Sequence, residues 1–162
     1  MYKKIFVLIV VLGFSLGTKV SAQVNPHAIG ARLGGGNYGN GFEVSYQHGL
    51  GSANRLEVDV GWSGGSHHSH LGIAGIYHWA WNITNALNWY VGPGAALGLH
   101  SDDNDNDRDG IGIGVGGQIG LEFDFQKMGA PILVGLDARP MWNIGGYGGF
   151  GSDGSLSVRY IF

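Results

Sequence analysis

From Ala28 to Phe162, apolar side chains fall on alternate positions in eight successive stretches, separated by clusters of Gly, Asn, Asp and Ser. Alternation with period two puts one set of side chains on each face of a β-strand. No stretch after residue 22 carries a helical period, so the chain is expected to be all-β. The first strand runs near Ala28 to Gly34, with Ile29, Ala31 and Leu33 on one face. The second carries Phe42, Val44 and Tyr46, and the third Leu56, Val58, Val60 and Trp62. The fourth has Leu71, Ile73, Tyr77, Trp79 and Trp81, and the fifth Trp89, Val91, Ala95, Leu97 and Leu99. The sixth holds the longest alternation, Ile111 to Phe125. The seventh offers Ile132, Val134, Leu136, Ala138 and Trp142, and the eighth is Ser155 to Phe162.

Periodicity alone does not say which face is inside. A soluble up-and-down barrel also has eight strands, but it turns its apolar face inward. The polar face decides. It is built largely of glycine, with Gly30, Gly34, Gly61, Gly72, Gly92, Gly94, Gly98, Gly112, Gly114, Gly116, Gly120 and Gly135 all on that parity. Water-facing strand positions favour Thr, Lys and Glu, because glycine weakens a strand and packs nothing. In a narrow barrel lumen, by contrast, small residues make room for a few large charged ones. The glycine face therefore reads as the interior and the apolar face as the exterior.

Sorted aromatics point the same way. Trp79, Trp81, Trp89, Tyr90, Phe123, Phe125, Tyr160 and Phe162 gather near one set of strand ends, and Phe42, Trp62 and Trp142 near the other. Between them the outward positions are mostly Leu, Ile, Val and Ala. Two aromatic girdles around an aliphatic band are what the two interfaces of a bilayer select.

The N-terminus supplies a route to a membrane. Lys3 and Lys4 precede an apolar run from Ile5 to Leu16, and Val20-Ser21-Ala22 is a small-residue cleavage site. Residues 1–22 read as a secretory signal peptide and residues 23–162 as one barrel domain. Removing Lys3, Lys4 and Lys19, and no acid, moves the formal net charge from −3 to −6. So acidic a chain is a poor nucleic-acid binder. With no cysteine there is neither a disulfide scaffold nor a lipidated Cys.

The final run, Ser155-Leu156-Ser157-Val158-Arg159-Tyr160-Ile161-Phe162, ends on an aromatic residue. It resembles the C-terminal signature of bacterial outer-membrane β-barrel proteins. The whole mature chain, with glycine-rich segments such as Gly34-Gly35-Gly36-Asn37-Tyr38-Gly39-Asn40-Gly41, resembles the small OmpA/OmpX-type barrels and the barrels of Bacteroidetes-type bacteria. The resemblance implies an eight-stranded antiparallel up-and-down transmembrane barrel in the Gram-negative outer membrane. It also implies contact with outer-membrane lipid and lipopolysaccharide, and a terminal strand read by the barrel-assembly machinery. Short periplasmic turns (Gly49–Asn54, Asn82–Ala86, Gln126–Pro131) would then alternate with mostly longer external loops (Gly35–Gly41, Ser63–Ser69, Ser101–Gly110, Gly145–Gly154).

Candidate functional residues lie in the lumen and in those loops. Arg32, Arg55, Arg139 and Arg159 share the inward parity with Glu43, Glu57, Asp59, Glu122, Asp124 and Asp137, and charges in so narrow a space must pair. They can form a salt-bridge plug or line an ion path. His67, His68 and His70 form a histidine cluster without an acidic or Cys companion. In the acidic loop Asp103, Asp105, Asp107 and Asp109 precede Gly110, and Asp105-x-Asp107-x-Asp109-Gly110 matches half of a calcium-loop spacing. The distal Glu of that motif is missing, so weak divalent-cation binding is the most it suggests, and no other cofactor is expected. His78, His100, Ser101 and Asp102 could supply lipid-modifying chemistry, but they match no motif, and G-x-S-x-G, H-E-x-x-H and phosphate-loop patterns are absent. The expected function is structural or surface-interacting, through the external loops, with a filled lumen and no enzymatic activity. A narrow porin-like pore and a lipid A-modifying enzyme are the alternatives, and the external partner is not legible.

Overall fold

A computed structural model describes residues 24–36, 39–64, 68–102, 110–144 and 149–162. The proposed signal peptide lies outside the described residues. Eight strands follow in chain order: β1 (His27–Gly36), β2 (Gly39–Gly49), β3 (Asn54–Gly64), β4 (His68–Asn82), β5 (Leu87–Asp102), β6 (Gly110–Asp124), β7 (Ile132–Ile144) and β8 (Gly149–Ile161). Each pairs antiparallel with the next, and β8 pairs back onto β1 from Ala28↔Ile161 to Gly36↔Asp153, so the sheet closes into a barrel. Closure leaves no sheet edge with unpaired backbone groups, a condition that a lipid environment imposes on strands.

The sheet is sheared. Stepping sideways from Ala28 leads through Gln47, Glu57, Ile76, Gly94, Gly116 and Met141 to Gly151. On the β1–β8 ladder Gly151 lies beyond Gly36, so the level ring does not return to its start, and the strands tilt as a closed barrel requires.

Apolar side chains cover the outside. Leu33, Ile73, Leu97, Ile119, Leu136 and Leu156 are all exposed. At the end carrying Val24 and Phe162, which we call the terminus end, Trp81 and Trp89 stack at 4.5 Å between ring centroids and Tyr77 meets Trp79 edge-on at 5.2 Å. At the far end Phe42 pairs with Trp62, and Trp142 with Phe150.

The connections differ from the expected lengths. At the terminus end, residues 50–53 and 83–86 join strands directly, and a short 3-10 helix, Phe125–Met128, turns the chain between β6 and β7. Asp124 caps this helix, its Oδ1 accepting from the Gln126 amide at 2.9 Å, and Gly129 closes it at φ 90°, a left-handed conformation that suits glycine. At the far end the strands run on through most of the supposed long loops, leaving only 37–38, 65–67, 103–109 and 145–148 between them. The reason is physical. The outward apolar alternation ends before the strands do, because the backbone ladder continues as long as both arms offer N–H and C=O groups. Strands β4, β5 and β6 are the longest, at 15, 16 and 15 residues, so that wall is taller than the one formed by β1 to β3.

Candidate functional site in the lumen

The structure places Arg32, Glu43, Arg55, Glu57, Asp59, Glu122, Asp124, Asp137, Arg139 and Arg159 on the inner face, all buried except Glu43, which is half-buried. Each strand contributes through the same alternation. Leu56 and Val58 point out from β3, so Arg55, Glu57 and Asp59 point in.

The charges brace opposite walls. Arg159 of β8 donates through Nη2 to Glu57 Oε2 of β3 at 2.9 Å, and through Nε to Ser45 Oγ of β2 at 2.9 Å. Arg139 of β7 reaches Asp59, Glu43 Oε1 at 3.2 Å and Gln118 Oε1 at 3.3 Å. Arg32 of β1 donates to Glu43 Oε2 and Asp137 Oδ1, each at 2.5 Å. Arg55 of β3 spans to β6, donating through Nη1 to Glu122 Oε1 at 2.8 Å, and lies 4.6 Å from the centroid of the Tyr90 ring. Neutral groups complete the set: Gln47 and Gln118 donate to Glu57 at 2.6 and 3.1 Å, and Ser155 donates to Asp137 at 3.0 Å. Charge pairing of this kind is what permits ions in a confined, dry interior.

Glycines supply the room. A Cβ on Gly120 would lie 2.5 Å from Tyr90 Oη and 2.7 Å from Asp137 Cβ, and one on Gly61 would lie 2.7 Å from Glu43 Cγ. Toward the terminus end Ala28, Leu133 and Ile161 pack together inside the barrel, with Leu133 opposite Arg159 and Asp124. The segment before β1 crosses that opening. Val24 donates to the Ser52 carbonyl at 3.0 Å, and Asn25 Nδ2 donates to Asp124 Oδ2 at 3.4 Å.

Some expected positions need correction. Tyr90 is not part of the outer aromatic girdle but is fully buried in the lumen, where its hydroxyl donates to Asp137 Oδ2 at 3.3 Å. Its neighbours Trp89 and Val91 face out, so strand parity sends Tyr90 in, and the hydrogen-bonding tip makes an interior place favourable. The other girdle residues, Trp62, Trp79, Trp81, Trp89, Phe123, Phe125, Trp142, Tyr160 and Phe162, lie on the outward parity or, for Phe125, in the adjoining 3-10 helix. His78 also points into the lumen, where its Nδ1 accepts from Arg55 Nε at 3.3 Å, so it cannot meet lipid as a lipid-modifying group would. Asp153, expected in a loop, belongs to β8 opposite Arg139. Asp103, Asp105, Asp107 and Asp109, and His67, lie outside the described residues, while His68, His70, His100, Ser101 and Asp102 end β4 and β5. Sequence parity was the available signal for Tyr90, His78, Gln118 and Leu133, all of which alternate with outward apolar neighbours.

No protein-family model matches the chain, and no curated protein matches it. Solved structures do. Neisserial surface protein A (NspA) matches with a TM-score of 0.59 at 16% identity, over 84% of this chain and 94% of that one. Ail, the attachment invasion locus protein of Yersinia pestis, matches with a TM-score of 0.54 at 12% identity, over 84% and 96%. The outer membrane enzyme PagL matches with a TM-score of 0.52 at 15% identity, over 83% and 99%. At such identities the likeness is one of fold.

Proposed function

We propose that this protein, which has the fold of the small eight-stranded outer-membrane β-barrels, spans the outer membrane as a non-conducting, non-enzymatic barrel acting through its far-end surface. The observation that carries the reading is the state of the lumen. Arg55, Arg139 and Arg159 each reach an acid three or four strands away, Arg32 ties β1 to β2 and β7, and Ala28, Leu133 and Ile161 pack together beside them toward the terminus end. An aqueous path would have to pass these packed side chains. Ions crossing a low-dielectric constriction without a hydration shell meet a steep barrier.

The exposed far end is the part left to interact. In sequence the acidic segment 103–109 joins β5 to β6, between Asp102 and Gly110. Its carboxylates suit a weakly held divalent cation, and through it the anionic head groups of lipopolysaccharide. NspA is a surface protein and Ail an attachment invasion locus protein by name, which supports a surface role on this fold. PagL is an enzyme on the same fold. Enzymatic chemistry finds less support in this chain, since His78, the one fully buried histidine among the described residues, is held by Arg55 inside the lumen. At the opposite pole Phe162 is exposed, with its amide donating to the His27 carbonyl at 3.1 Å, which suits a closing strand presented to assembly machinery.

The test is single-channel recording on the purified, folded protein in planar bilayers. Silent membranes at protein densities where a known porin conducts are expected. Reproducible current steps would overturn the filled-lumen reading and leave the narrow pore in its place.

A further inference from the structure

Outside the lumen, and away from the far-end loops, three polar rings meet on the exterior at the seam of the barrel. His27 opens β1, and its partner across the β1–β2 ladder is His48. Tyr46 lies two residues before His48 and therefore shares its face. His27 Nδ1 is 2.9 Å from Tyr46 Oη and 3.2 Å from His48 Nδ1. Phe162, the last residue, stacks on the His27 ring at 5.5 Å between centroids and 21° between planes, which limits its rotation.

A phenol oxygen and a second imidazole nitrogen that both approach one imidazole nitrogen are unusual for an exterior strand face. His27 Nδ1 offers a single proton or a single lone pair, so the two close approaches compete for it. A cation removes that conflict. With metal–nitrogen bonds of about 2.0–2.1 Å, the donors of a tetrahedral site stand about 3.3 Å apart. The separations of 2.9 and 3.2 Å are close to two edges of such a tetrahedron.

We propose that His27, His48 and Tyr46 form a binding site for a borderline divalent cation, Zn²⁺ or Cu²⁺, at the terminus-end rim of the barrel. The donor set fits. Imidazole nitrogen prefers these ions over Ca²⁺ and Mg²⁺, and the antiparallel pair fixes two ligands on rigid backbone. Among the described residues no group of three or more His, Cys, Asp or Glu could hold a metal ion, so this site rests on two imidazoles and a phenol. Water would complete a four-coordinate shell there. Binding displaces the proton shared between His27 and Tyr46, which leaves as the cation enters. Because His27 belongs to β1 and Phe162 packs on it at the end of β8, a cation bound there also stiffens the closing seam.

The experiment uses tag-free, full-length mature protein folded in detergent micelles, with its heat-dependent gel shift confirming the barrel. Cu²⁺ is titrated with electron paramagnetic resonance as the readout, and Zn²⁺ by calorimetry. Three proteins are compared with wild type: His48→Gln, Tyr46→Phe, and a combined His67→Gln, His68→Gln, His70→Gln variant that removes the loop histidines. The expected result is one equivalent of Cu²⁺ with nitrogen hyperfine structure, retained in the loop variant and weakened at least tenfold by His48→Gln. Tyr46→Phe leaves nitrogen ligation in place but changes the spectrum. Binding lost only in the loop variant, binding unaffected by His48→Gln, or no binding in the wild type would each overturn the site and leave a hydrogen-bonded imidazole pair.

Discussion

The Arg55–Glu122 pair offers the cleanest measure of how dry the lumen is. Arg55 Nη1 stands 2.6 Å from Glu122 Oε2, and the two side chains are 2% and 4% exposed. Arg55 additionally contacts His78 and Tyr90, and among the described residues it is the one cation that bridges Glu122. Replacing Arg55 with Met keeps the length of the side chain but leaves a carboxylate buried without a counter-charge. Breaking one side of a buried pair costs about 3–5 kcal/mol. Loss of the cation–π contact with Tyr90 adds about 0.5–2 kcal/mol. The assay is urea unfolding of the folded barrel in lipid vesicles, followed by tryptophan fluorescence and by the gel shift. Arg55→Met should destabilise by at least about 3 kcal/mol, roughly two decades in the unfolding constant. Glu122→Gln in the same background should recover much of this, because the charge that lost its partner is gone. A double-mutant cycle should therefore report coupling of about 2 kcal/mol or more. A cost below about 1 kcal/mol for Arg55→Met, of the size seen for exposed pairs, would mean that water solvates the lumen, and the plug argument would fail.

Two further outcomes test the exterior and the packing. Leu136→Arg places a charge on the apolar belt at a residue 60% exposed and paired with Leu121 and Leu156, and should cost about 2–4 kcal/mol in vesicle unfolding, whereas a barrel facing water would hardly notice it. Gly120→Ala should destabilise by about 1–3 kcal/mol, since the added methyl meets the Tyr90 ring and Asp137; pairing it with Tyr90→Ala should relieve most of that loss, and unchanged stability of the single variant would contradict the packing described.

Much of this architecture was written in residue order. Period two, carried by runs such as Leu56-Glu57-Val58-Asp59-Val60, fixes strands and their two faces, because successive side chains on a pleated backbone have no other choice. Glycine on the polar parity then identifies the interior, and Arg32, Glu57, Asp137 and Arg159 follow from position alone. The same parity would have sent Tyr90 inward, but the aromatic character of its neighbours, Trp89 above all, drew it into the wrong set. Loop lengths were not legible. Pairing of Asn143 with Gly149 and of Gly36 with Gly39 depends on backbone groups that every residue carries, so no side-chain pattern marks where the ladder stops.

Partnership across the lumen was likewise closed to the sequence. Alternation says that Arg139 and Asp59 both point inward, but only the barrel's closure and shear bring β7 opposite β3 and set which acid each arginine reaches. The convergence of His27, Tyr46 and His48 is of the same kind, since it needs the β1–β2 register to place one imidazole across from the other, and β8 to lay Phe162 against them. Local chemistry thus determined the strands, their faces and the membrane belt. The three-dimensional register, which depends on pairing between residues far apart in the chain, decided which charges meet, what seals the lumen and where a cation could bind.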